Sequence, residues 1–202
     1  PLVTISHYET PLHLAETYDG WTDRRLIGFY ERYARTLFER FGSRVKYWLT
    51  FNEINSLVHA PFMSGGIDTP KEELTAQQLY QAMHHELVAS ARATRVAREV
   101  APNALVGCMV LSMPTYPLTP SPADALAVME ADHANLLYGD VHTRGVYPGY
   151  FLRTLREQGI DLDITAQDRE DLTNTVDFVS FSYYMSIAET ADPERKAAGQ
   201  GN

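Results

Sequence analysis

The sequence has 202 residues, 45% of them hydrophobic and 21% charged, which describes a globular chain with enough apolar material for a sizeable core and excludes a disordered segment. A formal net charge of −9, with no run rich in Lys or Arg, argues against a nucleic-acid backbone or an anionic membrane surface as partner. No apolar run is long enough to span a membrane, and the single Cys108 excludes an internal disulfide, so a reducing cytoplasm is the expected compartment.

Leu2 to Ser6 reads as a buried strand, followed by the polar and aromatic group His7-Tyr8-Glu9-Thr10-Pro11, in which Pro11 ends extended pairing. Thr22 is the expected cap of a helix whose apolar residues Leu26, Tyr30, Tyr33, Leu37 and Phe41 recur at intervals of three and four, with Gly42 as its stop. Val45 to Phe51 is a second strand of β-branched and aromatic residues, and it ends on Asn52 and Glu53. A long loop around Pro61-Phe62-Met63-Ser64-Gly65-Gly66 has the length of a site rim.

Helix resumes near Thr75 and runs to about Val100, carried by Leu79, Ala82, Met83, Leu87, Ala91 and Val96. Ala104 to Val110 makes a third strand, with a Pro-rich loop from Leu111 to Pro120 behind it. Ser121 caps a helix toward Tyr138, Tyr147-Pro148-Gly149-Tyr150 turns into a shorter helix ending at Gly159, and a brief helix starts at Thr165. Val176 to Ser182 is a fourth strand ending in Tyr183-Tyr184, and Ala197 to Asn202 trail into a loop.

The order βαβαβααβ, with the brief helix at Thr165 left out, implies parallel strands joined by right-handed helical crossovers, with candidate site residues at the strand ends. A doubly wound open sheet is the rival architecture, but no Gly-rich phosphate loop follows any strand. A closed (β/α)8 barrel needs roughly 250 residues. The expected fold is therefore α/β, a partial (β/α)8 TIM barrel of about four parallel strands with flanking helices, residues 1–202 forming one incomplete domain. Pro1 in place of Met, directly before a strand, fits a piece cut from a longer chain.

At a strand's C-terminal end Glu53 is poised to meet a ligand; it could equally cap the next helix or pair with a surface Arg. Seven histidines invite a metal-site reading, but His84 and His85 are adjacent on a helix and cannot face one direction, and neither H-E-x-x-H nor a Cys pair occurs. No metal or other cofactor is expected. No G-x-S-x-G elbow exists and Cys108 lies within an apolar strand, so hydrolysis by a Ser or Cys nucleophile has no support.

Thr50-Phe51-Asn52-Glu53 resembles the fourth-strand motif of the family 1 glycoside hydrolases, with Ile54 in place of the commoner Pro. Three further segments resemble the same family in the same order: Thr4 to Pro11 its third strand, Gly145-Val146-Tyr147-Pro148 its G-x-Y-P segment, and Asp177 to Tyr184 its sixth strand. The resemblance implies a retaining β-glycosidase on a (β/α)8 barrel, with strands one, two, seven and eight absent from this sequence. Such an enzyme needs two carboxyl groups about 5 to 5.5 Å apart, one donating a proton to the leaving oxygen and one forming the glycosyl-enzyme.

By that resemblance Glu53 is the acid and later the base, and its pKa is expected to be raised by the nucleophile's charge and by burial. Asn52 contacts the sugar 2-hydroxyl, His7 another sugar hydroxyl, and Tyr184 hydrogen-bonds the nucleophile. Tyr8, Glu9 and Ser182 are supporting residues, Glu9 being the rival carboxylate past a strand. Tyr8 and Ser182, standing where many β-glucosidases have Trp and Asn, resemble the bacterial 6-phospho-β-glucosidase branch. The expected partner is therefore a small β-glycoside, in that branch 6-phosphorylated.

The family's T/S-E-N-G nucleophile motif does not occur, so the 202 residues alone are expected to be inactive. With two unpaired sheet edges they are expected to self-associate or to require a complementing barrel half. A reading from another class is a noncatalytic sugar-binding or scaffolding fragment.

Overall fold

The structure, a computed structural model, describes residues 1–199. In chain order the elements are β1 (Leu2–Ser6), α1 (Leu12–Tyr18), α2 (Arg25–Phe41), β2 (Tyr47–Phe51), α3 (Pro61–Gly65), α4 (Ala76–Val100), β3 (Leu105–Ser112) and β4 (Thr115–Pro117). They continue with α5 (Pro122–Arg144), α6 (Gly149–Gln158), α7 (Ala166–Leu172), β5 (Phe178–Tyr183), β6 (Ile187–Glu189) and α8 (Pro193–Gly199). The main sheet has four strands in the order β1-β2-β3-β5, all parallel. A two-stranded sheet of β4 and β6 sits in the loops beyond it.

The central strand β2 is buried from Trp48 to Phe51, as a strand covered on both faces must be. Trp48 meets Phe38 of α2 edge-to-face with ring centroids 5.0 Å apart, while Phe51 stacks on Tyr30 at 4.5 Å. The helix α4 buries Met83, Leu87, Val88 and Val96, and its interspersed Ala82, Ala89 and Ala93 are fully buried too. A capping box starts it: Thr75 Oγ1 accepts from the Gln78 N–H, and the Gln78 side chain accepts from the Thr75 N–H. Between β3 and β5 the Phe178 ring covers Gly107, where an added Cβ would lie well inside van der Waals contact.

Several expectations are corrected. Thr22 does not cap α2; its hydroxyl turns back to the Asp19 carbonyl at 2.8 Å, and Asp23 Oδ1 takes the Arg25 N–H at 2.8 Å instead. The buried face of α2 is Leu26, Ile27, Tyr30, Ala34 and Phe38, whereas Tyr33 and Phe41 are exposed. The Phe38–Trp48 contact turns the i, i+4 row that carries Phe38 inward, leaving the adjoining row on the flank. Val45 and Lys46 precede β2, and the Trp48 indole donates back to the Val45 carbonyl at 3.0 Å.

Strand β3 extends to Ser112 because β5 pairs with it as far as Ser112↔Tyr183. Helix α5 runs on past Tyr138 to Arg144 and stops at Gly145, whose φ of 71° is left-handed. The short elements α3 and β4 lie in stretches read as loops, α1 and β6 in stretches where no element is expected, and α8 takes in Ala197 to Gly199 of the expected terminal loop. The rest of that loop, residues 200–202, lies outside the described residues. Strands β1 and β5 each have one unpaired side among the described residues, and Val179 and Phe181 of β5 are 48% and 66% exposed.

Candidate active site

The parallel register brings the C-terminal ends of β1, β2 and β5 to one side of the sheet. The Asn52 N–H donates to the Ser6 carbonyl at 2.9 Å, carrying the β1/β2 ladder one step past the strand. The chain then reverses at Glu53, whose φ of 41° and ψ of 53° are left-handed, and enters a 3-10 turn over Ile54–Val58. A left-handed carboxylate residue costs about 1 to 3 kcal/mol and persists where its surroundings over-determine it. Here they do, because both of its oxygens are held.

Tyr8 Oη donates to Glu53 Oε2 at 2.6 Å and Tyr184 Oη donates to Oε1 at 2.8 Å. Tyr8 itself has a φ of 75°, so two left-handed residues from different strand ends meet through one hydrogen bond. Asn52 and Glu53 are each only 7% exposed, while Tyr184 is 66% exposed and reaches inward by its hydroxyl alone. His7 is exposed and lies edge-on to Tyr8 with ring centroids 5.6 Å apart.

Glu9 does not join this cluster; its Oε2 accepts the His7 backbone N–H at 2.6 Å and so fixes the turn after β1. Tyr184, expected on a second carboxylate, donates to Glu53 in this chain.

Burial acts to raise the Glu53 pKa, but the hydrogen bonds from Tyr8 and Tyr184, together with the nearby Ser182 hydroxyl and His7, outweigh it and hold it below the ordinary glutamate range. The expected upward shift is thus not found. Among the described residues hydroxyl donors, rather than a second carboxylate, set its charge state. Burial and the contact with Glu53 push the Tyr8 hydroxyl up to about 12, so it remains a donor at all ordinary pH.

Two neighbours escaped the sequence reading. Asn55 joins the turn to β3 through its side chain, and Ser56 Oγ donates to Tyr8 Oη at 3.3 Å while contacting Ser64 Oγ at 2.7 Å. Polar residues directly after a buried strand, both buried here, were the available signal. Behind β2, Thr50 Oγ1 meets Ser90 Oγ of α4 at 2.7 Å and Ser90 meets His142 Nε2 of α5 at 3.0 Å, a buried polar chain that joins three elements. Among the described residues no group of three or more His, Cys, Asp or Glu could hold a metal ion, and no helix is long and apolar enough to cross a membrane.

Parallel strands, outer helices and polar groups gathered at the strand ends are those of a (β/α)8 barrel, of which this chain forms part. The chain belongs to glycosyl hydrolase family 1, whose model matches residues 1–201. It is 57% identical to a 6-phospho-beta-glucosidase of Clostridium longisporum and 48% identical to the aryl-phospho-beta-D-glucosidase BglH of Bacillus subtilis, matching over its whole length. It spans 43% of the length of each. Among solved structures, a family 1 β-glucosidase from Thermotoga maritima superposes with a TM-score of 0.81 at 30% identity, over 96% of this chain and 43% of that one. The same organism's β-glucosidase in complex with glucoimidazole gives 0.82.

Proposed function

We propose that the protein of which this sequence forms part hydrolyses β-glycosidic bonds with retention of configuration, and that its substrates are 6-phospho-β-glucosides. The observation that carries the reading is Glu53, a buried carboxylate at the end of β2 beside Asn52 and between the hydroxyls of Tyr8 and Tyr184. The 57% and 48% identity to phospho-β-glucosidases supports the phosphorylated sugar.

Glu53 donates a proton to the leaving oxygen and then activates the water that releases the sugar. Asn52 holds the 2-hydroxyl, a contact that strengthens as positive charge develops at the anomeric carbon, and His7 holds a second hydroxyl. The nucleophile comes from a part of the barrel outside these residues. Once it is present, Tyr184 turns from Glu53 to that carboxylate, and its negative charge raises the Glu53 pKa into the range of a working acid. The compartment proposed is the cytoplasm, where Cys108 stays reduced.

The test is Glu53→Gln in the full-length protein. Hydrolysis of cellobiose 6-phosphate is expected to fall by about 10² to 10⁴, while a dinitrophenyl 6-phospho-β-glucoside, whose leaving group needs no proton, still forms the glycosyl-enzyme. Ordinary turnover of the disaccharide by the variant would end the assignment. Because the 202 residues carry only one of the two carboxyl groups, a noncatalytic sugar-binding role for the fragment makes a separate expectation. Calorimetry with cellobiose 6-phosphate would then show binding without turnover by a monodisperse fold.

A further inference from the structure

Tyr8 reaches Glu53 with its proton direction already set. Ser56 Oγ donates to Tyr8 Oη at 3.3 Å, so the Tyr8 proton points to Glu53 Oε2, 2.6 Å away. Ser56 Oγ, its own proton spent on Tyr8, then accepts from Ser64 Oγ at 2.7 Å. The order is Ser64 to Ser56 to Tyr8 to Glu53, running from α3 through the turn after β2 to the end of β1. Ser56 is 5% exposed, which shields the middle of the chain from competing water.

We infer that Tyr8 is a positioning residue for Glu53: fed by Ser64 and Ser56, its hydroxyl occupies Oε2 and leaves Oε1 as the oxygen that carries the transferable proton. The inference rests on the acid/base role proposed for Glu53. In the reaction the proton on Oε1 passes to the glycosidic oxygen as the C1–O bond breaks and its electron pair goes to that oxygen. Glu53 is left as the carboxylate, and Tyr8 keeps its own proton throughout. Tyr184, on Oε1 in this chain, must vacate that oxygen for the step, as it does on turning to the nucleophile.

The groups facing the carboxylate among the described residues are His7 and Tyr8 from the β1 end and Ser182 and Tyr184 from the β5 end. Tyr8→Phe removes one donor and keeps the ring. A donor to the ionised form favours it, so its loss moves the Glu53 titration to higher pH.

The experiment is a carbon-13 titration of the Glu53 carboxyl in the full-length protein and its Tyr8→Phe variant, paired with kcat/KM against pH. The midpoint and the upper limb of the profile are both expected to move up, and plateau kcat on a poor leaving group to fall about tenfold, the scale of one charge-assisted hydrogen bond. Ser56→Ala, which keeps the tyrosine, is expected to move the midpoint the same way by less, and it decides the matter if Tyr8→Phe does not fold. An unmoved or lowered midpoint overturns the inference. Should Glu53→Gln abolish turnover while Tyr8→Phe titrates like the parent, the inference fails and the function stands. Should Glu53→Gln turn over normally, the function fails, and the titration still reports whether Tyr8 holds the carboxylate.

Discussion

Asn55 pairs with Leu111 as though it were a strand residue: its Oδ1 accepts the Leu111 N–H at 2.7 Å and its Nδ2 donates to the Leu111 carbonyl at 2.9 Å. The backbone has already left the sheet at Glu53, so one side chain completes the β2/β3 pairing that the turn interrupts. Asn55→Ala leaves two part-buried backbone groups without that partner, at up to about 1 to 3 kcal/mol each before water relieves them. Urea unfolding of the full-length protein is expected to show a lower midpoint at unchanged slope. Turnover is expected to fall as well, because Glu53 is two residues away.

The two aromatic rows of α2 separate cleanly in a mutational comparison. Phe38→Ala removes a ring that is 1% exposed and packed on Trp48, and is expected to cost about 3 to 5 kcal/mol. Tyr33, 48% exposed, lies on the row that periodicity alone would bury. Tyr33→Ala is expected to stay within about 0.5 kcal/mol. Equal losses in denaturant unfolding would contradict the observed rotation of the helix.

Acid should destabilise the fold before its carboxylates titrate. Burial depresses His85 and His142 from 6.5 to about 4, and it lowers His84 too despite the Asp168 carboxylate beside it. The unfolded chain therefore takes up protons below pH 6.5 that the folded chain refuses, so this stability is complete above 6.5 and lost as pH falls toward 4. Holding His85 and His142 at about 4 in place of 6.5 corresponds to roughly 3 kcal/mol each as an upper figure. Asp168, brought down to about 2 by Arg24, the Thr165 N–H and His84 against the opposing effect of burial, adds a second loss between about 3.8 and 2. Thermal unfolding across pH 7 to 4 is expected to show a falling Tm, and His142→Gln to flatten the curve.

Expressed alone, the 202 residues are expected to self-associate. Parallel edges at β1 and β5 offer unpaired backbone groups, and Phe181 presents an uncovered ring. Sedimentation velocity over a concentration series is expected to show species larger than the monomer, reduced by Phe181→Lys. A concentration-independent monomer with cooperative unfolding would refute this.

Strand and helix identity was legible in the sequence wherever a period ran long enough. Trp48 to Phe51 reads as a buried strand by its composition, and the helix start near Thr75 was legible too. The short pieces α1, α3, β4 and β6 span too few residues to show a period, and tertiary contacts alone hold them. Glu53 was legible because its motif is contiguous. Its hydroxyl partners were harder: Tyr184 was expected on another carboxylate, and nothing local to Ser56 or Ser64 points at Tyr8. The downward pKa direction in this chain was not legible for the same reason, since it depends on donors that converge from distant strand ends rather than on the neighbours of Glu53 in the chain.

Gly107 gives the candidate site a tolerance that lies well away from it. With no side chain there, the Phe178 ring can lie against β3, and β5 can pair with β3 from Gly107↔Phe178 to Ser112↔Tyr183. That pairing ends one residue before Tyr184, whose hydroxyl must span the mouth to Glu53 within a 2.8 Å bond. A methyl at position 107 would act as a shim between two staves. It would tilt β5 at its base and be read at the rim as a tyrosine that no longer reaches.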